Sequence, residues 1–178
     1  MINQMAKDHP GSGRPVEHTD DGRYIVVDGR RWRATDPTIP EKLRTELVRA
    51  LMTGRRGVKT HGDAARVVVN DAKIALGERG DPWWEPTEEG TRRRLEATIK
   101  TLLRSRGAGS ICPSDAARMV GGENWREHMA TARSVAFDLR DAGVVAITQK
   151  GQRTAGTEIT GPIRLVAGTG LEFAGDKQ

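Results

Sequence analysis

The side chains able to do chemistry are few and far apart. The single cysteine, Cys112, has no histidine near it in sequence to form a Cys–His pair, and a buried structural thiol is the expectation. The four histidines, His9, His18, His61 and His128, include no His-x3-His pair, and one cysteine allows no Cys-x2-Cys, so the spacings that hold zinc do not occur. Gly168-Thr169-Gly170 has no Gly-x-Gly-x-x-Gly spacing and no helix after it, and no Gly-Lys-Ser/Thr loop occurs to cradle phosphates. No catalytic residue, metal or cofactor is therefore expected, and the chain reads as a protein other than an enzyme. Trp83-Trp84 offers a surface on which single-stranded bases could stack. Packing across the junction between the two halves is the stronger expectation, because tryptophan is seldom left bare.

Charge remains. Lys and Arg number 29 against 24 Asp and Glu, a net charge of +5, with a pI near 9.8. Residues 1–86 hold 15 basic and 13 acidic residues, and residues 87–178 hold 14 and 11, so neither half is a concentrated cation. The longest apolar runs are about four residues, against about 20 needed to cross a bilayer, so no membrane partner is expected. Residues 1–22 lack an apolar signal-peptide core, and a lone cysteine suits a reducing compartment; the cytoplasm is the expected location.

These residues need elements to carry them. Residues 1–21 read as a flexible tail. In Tyr24-Ile25-Val26-Val27-Asp28-Gly29-Arg30-Arg31-Trp32-Arg33, Asp-Gly supplies the two positive-φ positions of a type I′ hairpin turn. That turn sets Ile25 opposite Trp32, Val27 opposite Arg30, and Tyr24 opposite Arg33, so one face can bury Ile25, Val27 and Trp32 while Tyr24 carries Arg33 on its ring. A first helix follows, with Thr38 as cap, Pro40 near its first turn, Leu43, Leu47, Val48, Leu51 and Met52 inward, and Gly54 as its stop. A second runs from about Asp63 to Gly77 with Ala65, Val68, Val69, Ala72, Ala75 and Leu76 on one face. Hairpin and helical pair form an α+β unit over residues 22–86.

The second half changes pattern. A helix spans about Thr87–Arg106 with Leu95, Ile99, Leu102 and Leu103 on one side. Ser110-Ile111-Cys112 is extended, and a short helix from Pro113 carries Ala116, Ala117, Met119 and Val120 to Gly121-Gly122. A longer helix, about Glu123–Ala142, turns Trp125, Met129, Ala132, Ala136 and Leu139 inward. A strand at Val144–Thr148, a polar loop to Gly161 and a returning strand at Ile163–Val166 complete it. Helix, short strand, helix, helix, strand, loop, strand is the order of a winged helix-turn-helix domain, placed at residues 87–167. Residues 168–178 read as a second flexible tail.

Ser110-Ile111-Cys112-Pro113-Ser114-Asp115-Ala116-Ala117-Arg118, Trp125-Arg126, Ala142-Gly143, Ile147-Thr148-Gln149-Lys150-Gly151 and Gly161-Pro162-Ile163-Arg164-Leu165 resemble a small bacterial family of uncharacterised winged-helix domains, over about residues 90–166. The Asp28–Trp32, Ala75–Gly80 and Trp83-Trp84 segments are similar to an N-terminal region that accompanies such domains in larger bacterial proteins. The resemblance implies a fold and assigns no catalytic residue.

Winged helices commonly place their third helix in the major groove of duplex DNA. Winding from Trp125, the face opposite the core carries Glu127, Ala130, Thr131, Ser134, Asp138 and Asp141, which is acidic or small and argues against ordinary groove docking. Arg126, Arg133 and Arg140, seven apart, form a flanking stripe. Arg126 at the start of the third helix, Lys150 and Arg153 in the wing and Arg164 on the return strand are the residues expected to meet nucleic acid, making duplex DNA the leading partner. The alternative is a basic protein partner bound by Glu127, Ser134 and Asp138. The oligomeric state is left open.

Overall fold

The computed structural model describes residues 16–156 and 159–173. Most of the N-terminal tail expected over residues 1–21, and the last five residues of the C-terminal one, lie outside them. The chain forms two compact units, residues 1–35 and 36–178.

In the first unit, Asp28 and Gly29 adopt φ of 50° and 73°, as a type I′ turn requires, and join β2 (Tyr24–Val27) to β3 (Arg30–Arg33). Their register is the expected one, with Ile25 paired to Trp32, Val27 to Arg30, and Tyr24 to Arg33. A third strand not read from the sequence, β1 (Glu17–His18), pairs with β2 on its other side, so part of the supposed tail is in a sheet. The Thr19 Oγ1 accepts the Tyr24 N–H at 3.1 Å and donates to Asp21 Oδ1 at 2.6 Å, fixing the connection. The Arg31 guanidinium, from a diagonal neighbour on the same sheet face, lies 4.3 Å from the Tyr24 ring centroid. One expectation changes. Val27 and Trp32 are exposed rather than buried, since a single three-stranded layer has nothing of its own to cover that face.

The second unit begins at Asp36, whose Oδ1 accepts the Thr38 N–H at 2.9 Å and the Thr38 hydroxyl at 2.7 Å. With its hydroxyl spent there, Thr38 does not cap the helix; Pro40 occupies that position. Helix α1, Glu41–Ala75, runs through Gly54 and breaks at Gly62, where φ is 52° and ψ −121°. The two expected helices are thus its two arms, folded against each other. Gly54 is not a stop: it is buried where the arms meet, and a methyl group there would stand 3.0 Å from Val69 Cγ2 and 3.3 Å from Val68 Cγ1.

Thr87 caps α2 (Glu88–Arg106), its Oγ1 accepting the Gly90 N–H at 3.0 Å while Asp81 accepts from Thr87. Then follow α3 (Pro113–Gly121), a 3₁₀ segment (Gly122–His128), α4 (Met129–Asp141), β4 (Val145–Gln149), β5 (Gln152–Arg153) and β6 (Arg164–Ala167). The third helix expected from Glu123 begins as a helix proper only at Met129. Gly122 at φ 53° and Asn124 at φ −89°, ψ 17° interrupt it, and the His128 ring lies where a methyl group on Gly121 would be, 2.4 Å from Cδ2. The sheet order is β5-β4-β6, Val145 pairs with Ala167 and Ile147 with Leu165, and Ile111 bridges to Leu165.

One core unites this unit. Leu47, Leu51, Ala72 and Leu76 of the α1 region and its end are buried in the same cluster as Leu95, Ile99, Leu102, Met119, Ala136, Ile147 and Leu165. The helical pair therefore belongs with the elements after residue 87, and the chain divides after Thr35, not near Pro86. Among the described residues, no helix is long and apolar enough to cross a membrane. The segment 168–173 is no loose tail: Leu171 is buried, Phe173 packs on the core, and the Gly168 and Gly170 N–H groups donate to Val144 O and Gly143 O at 2.9 and 3.0 Å. A methyl group on Gly168 would lie 2.3 Å from Gly143 O, so the close approach needs glycine.

Candidate functional site

Sorting the cations of residues 87–173 by what they hold separates structural from available charge. Arg94 is buried. Its Nη1 lies 2.8 Å from Asp36 Oδ2, its Nε donates to Ala75 O and its Nη2 to Met119 O, both at 3.1 Å. One guanidinium thus joins the segment before α1 to the ends of α1 and α3. Burial lowers its pKa, and Asp36 opposes that shift. Arg106 pairs with both carboxylate oxygens of Glu46, at 2.9 and 3.0 Å, and with Asp115 at 3.1 Å; the Glu46 hydrogen bonds, above all, raise its pKa. Asp115 also accepts the Cys112 N–H at 3.2 Å, so Cys112 stands at the head of α3, half-buried. Arg104 holds Asp71 at 2.6 Å and donates to Glu172 O at 2.7 Å. Arg93 and Lys100 pair with Glu89 and Glu96 along α2.

The α4 arginines are also engaged. Arg133 donates to Gly161 O at 3.1 Å and Ile159 O at 2.6 Å, and Arg140 donates to Gly156 O at 2.7 Å. Both guanidinium groups lie by the Phe137 ring. Two of the three arginines expected to flank the third helix, Arg133 and Arg140, therefore fasten the loop between β5 and β6.

Of the residues expected to meet nucleic acid, the structure separates one from the rest. Arg164 donates to Ser110 Oγ at 2.9 and 3.0 Å and to Ser110 O at 3.0 Å, which ties β6 to the chain before α3. Lys150 is exposed at the tip of the β4–β5 hairpin, with φ of 51° followed by Gly151 at 80°, a second turn of the Asp28-Gly29 kind. Arg153 is exposed on β5. Arg126 is exposed, its guanidinium on the Trp125 ring, 4.6 Å from the centroid. Sequence reasoning missed Arg118, which lies on the same ring at the same distance. The signal was present, because Ala116, Ala117 and Met119 turn inward and leave Arg118 on the outer side of α3. Among the described residues of 87–173, Arg118, Arg126, Lys150 and Arg153 are the cations that make no ion pair and donate no hydrogen bond. A short stretch connects their two locations: Gln149 Nε2 donates to Thr160 O at 2.6 Å and Arg133 to Ile159 O and Gly161 O, so the Lys150 turn and α4 are moored to the same residues.

The acidic face is altered too. Asp138 pairs with Arg92 at 2.6 Å, and the Arg92 Nη atoms lie 3.4 and 3.5 Å from Ser134 Oγ. Ser134 and Asp138 thus face α2, and only Glu127 of the three stays exposed without an ion pair among the described residues. The Trp83 and Trp84 rings meet edge to face with centroids 5.1 Å apart, both half-buried. A methyl group on Gly77 would stand 3.1 Å from Trp83 Cδ1, so that ring closes over the end of α1.

Residues 92–168 match a protein family of unknown function, DUF3253. The DUF3253 region opens inside α2 and closes just after β6, which takes in the four available cations and nearly coincides with the stretch 90–166 whose motifs carry the resemblance. No curated protein matches the chain. The family's description carries no activity, so the chemistry of the DUF3253 region rests on its geometry.

Proposed function

We propose that the chain is a non-enzymatic, cytoplasmic protein whose DUF3253 region is a winged helix that binds duplex DNA. The order of elements supports the fold: α2, the Ile111 bridge, α3, the 3₁₀ segment with α4, then β4, β5 and β6 in one antiparallel sheet. The observation that carries the function is the sorting of charge. Every other cation of residues 87–173 is held within the chain, whereas Arg118 and Arg126 at the approach to α4 and Lys150 and Arg153 on the hairpin after it are exposed. Unpaired surface cations on a helix-turn-helix and its wing are where phosphate contacts belong. Arg164 drops out of the set, since Ser110 holds it.

A basic protein partner on Glu127, Ser134 and Asp138 draws less support, because Arg92 already neutralises Asp138 and covers Ser134. A salt titration of duplex binding tests the reading. Affinity should fall steeply as salt rises, and Lys150→Ala with Arg153→Ala should flatten the log–log slope by about 0.9 for each phosphate no longer neutralised. Absence of binding at about 50 mM salt removes the proposal.

A further inference from the structure

We propose that the outer face of the first arm of α1, which lies outside the DUF3253 region, is a rail for the phosphodiester backbone of duplex DNA. The inference rests on the nucleic-acid reading for its ligand and adds a second, separable contact surface to it.

Residues 41–61, the arm before the break at Gly62, hold six cations (Lys42, Arg44, Arg49, Arg55, Arg56 and Lys59) and two acids (Glu41 and Glu46), a net charge of +4 where the whole chain has +5. Both acids are engaged, Glu41 by Arg44 and Glu46 by Arg106. Positions seven apart on a helix drift by only about 20°, so Lys42, Arg49 and Arg56 fall within about 40° of one line. That line runs opposite the buried Leu43, Leu47, Leu51 and Gly54. Arg56 Nη2 donates to Thr53 Oγ1 at 3.2 Å, which holds its guanidinium by the hydroxyl on the same outer face. Lys59 adds a cation one turn further on. Lys42, Arg49, Arg56 and Lys59 are all exposed, and among the described residues none of them makes an ion pair. Thr53 and Thr60, also exposed, add hydroxyls between the charges, and hydroxyls are common phosphate partners. From Lys42 to Lys59 the rail spans about 25 Å, with its heptad cations about 10 Å apart on a rigid rod. A stiff polyanion with one charge per about 1.7 Å of axis meets such a row at several points without any base being read. A membrane fits less well, because the apolar face that an interfacial helix presses into lipid is here buried in the core. An acidic protein fits less well too: among the described residues, no large hydrophobic side chain is exposed between Glu41 and His61 to anchor it.

Binding of the full chain to a mixed-sequence DNA duplex across a salt series tests the rail through paired variants. Arg49→Gln with Arg56→Gln should weaken binding about tenfold or more and flatten the log–log slope by about two. Arg49→Lys with Arg56→Lys keeps both charges and should keep the slope. Arg44→Gln with Arg66→Gln removes as much charge from the same helix, but from residues already paired with Glu41 and Asp63, and should leave the slope unchanged. Equal losses from the two glutamine pairs would mean attraction by net charge alone, and a loss that the lysine pair does not restore would mean a structural role; either result overturns the rail. An inert Arg49→Gln/Arg56→Gln pair beside a defective Lys150→Ala/Arg153→Ala pair overturns it as well and leaves the winged-helix reading standing. The reverse pattern sustains the rail and removes the wing. Failure of the unaltered protein to bind duplex overturns both, and if it then sediments with phosphatidylserine/phosphatidylcholine vesicles, the face belongs to an anionic membrane instead.

Discussion

Asp36 and Arg94 are the pair on which most of the second unit leans, because three segments meet at one buried guanidinium. Removing the acid would leave that cation uncompensated in the core. Asp36→Ala should therefore cost about 3–5 kcal/mol, read as a lower denaturation midpoint, whereas replacing both partners with apolar residues should cost much less. At the surface the same logic is weaker and depends on pH. The Thr19 hydroxyl, and after it the Arg23 N–H, hold the Asp21 carboxyl below its usual 3.8. A depressed carboxylate contributes its stability above the unfolded value, and that contribution fades as pH falls through the folded one. Amide protection at Arg23 and Tyr24, taken relative to the intrinsic exchange rate, should accordingly fall as pH drops below about 3.8, and Asp21→Asn should remove the dependence. Single residues were the least legible level in the sequence. That Arg126 is available and Arg164 is not depends on a serine 54 positions away, and no spacing rule reports it.

Elements were legible where pattern and physics agree. The Asp28-Gly29 turn fixed the register of the hairpin, and the 3.6-residue period of Leu95, Ile99 and Leu102 set the face of α2. Glycine was where reading failed, because one residue type serves two opposite ends. Gly54 permits close approach inside a helix, and Gly62, eight residues later, supplies the backbone break that Gly54 was expected to make. The two should respond differently to alanine. Gly54→Ala gains about 1 kcal/mol of helix propensity but drives a methyl group against Val69, for a net loss that Val69→Ala should relieve in a double-mutant cycle. Gly62→Ala meets open space, so its cost of about 1–3 kcal/mol is backbone strain alone and no neighbouring truncation should rescue it. The third helix was misjudged for a similar reason: Gly122 and Asn124 carry the backbone out of helix in a stretch whose side chains still read as one amphipathic run.

At the scale of the molecule, residues 22–86 were expected to form one unit and 87–167 another, whereas the compact units are residues 1–35 and 36–178, the second with a single core. Composition and periodicity assign each helix an apolar face without saying which faces meet, so the partnership of α1 with the later helices could not be read in advance. The closing residues illustrate it. Leu171 and Phe173 are too few to make a pattern, yet Leu171 is buried and Arg104 clasps the carbonyl between them. Leu171→Ala should cost about 2–4 kcal/mol, and a thermal melt that left the variant unchanged would show that segment to be dispensable.

The loop after β5 has one more consequence. Arg133 and Arg140 seize it by the carbonyl oxygens of Gly156, Ile159 and Gly161, which every amino acid possesses. Such a fastening does not itself read side chains, although Ile159 also packs against the core. The exposed residues Ala155 and Thr160 are thus interchangeable as far as the anchorage is concerned, and each is a natural place to write a foreign side chain without unmooring the loop.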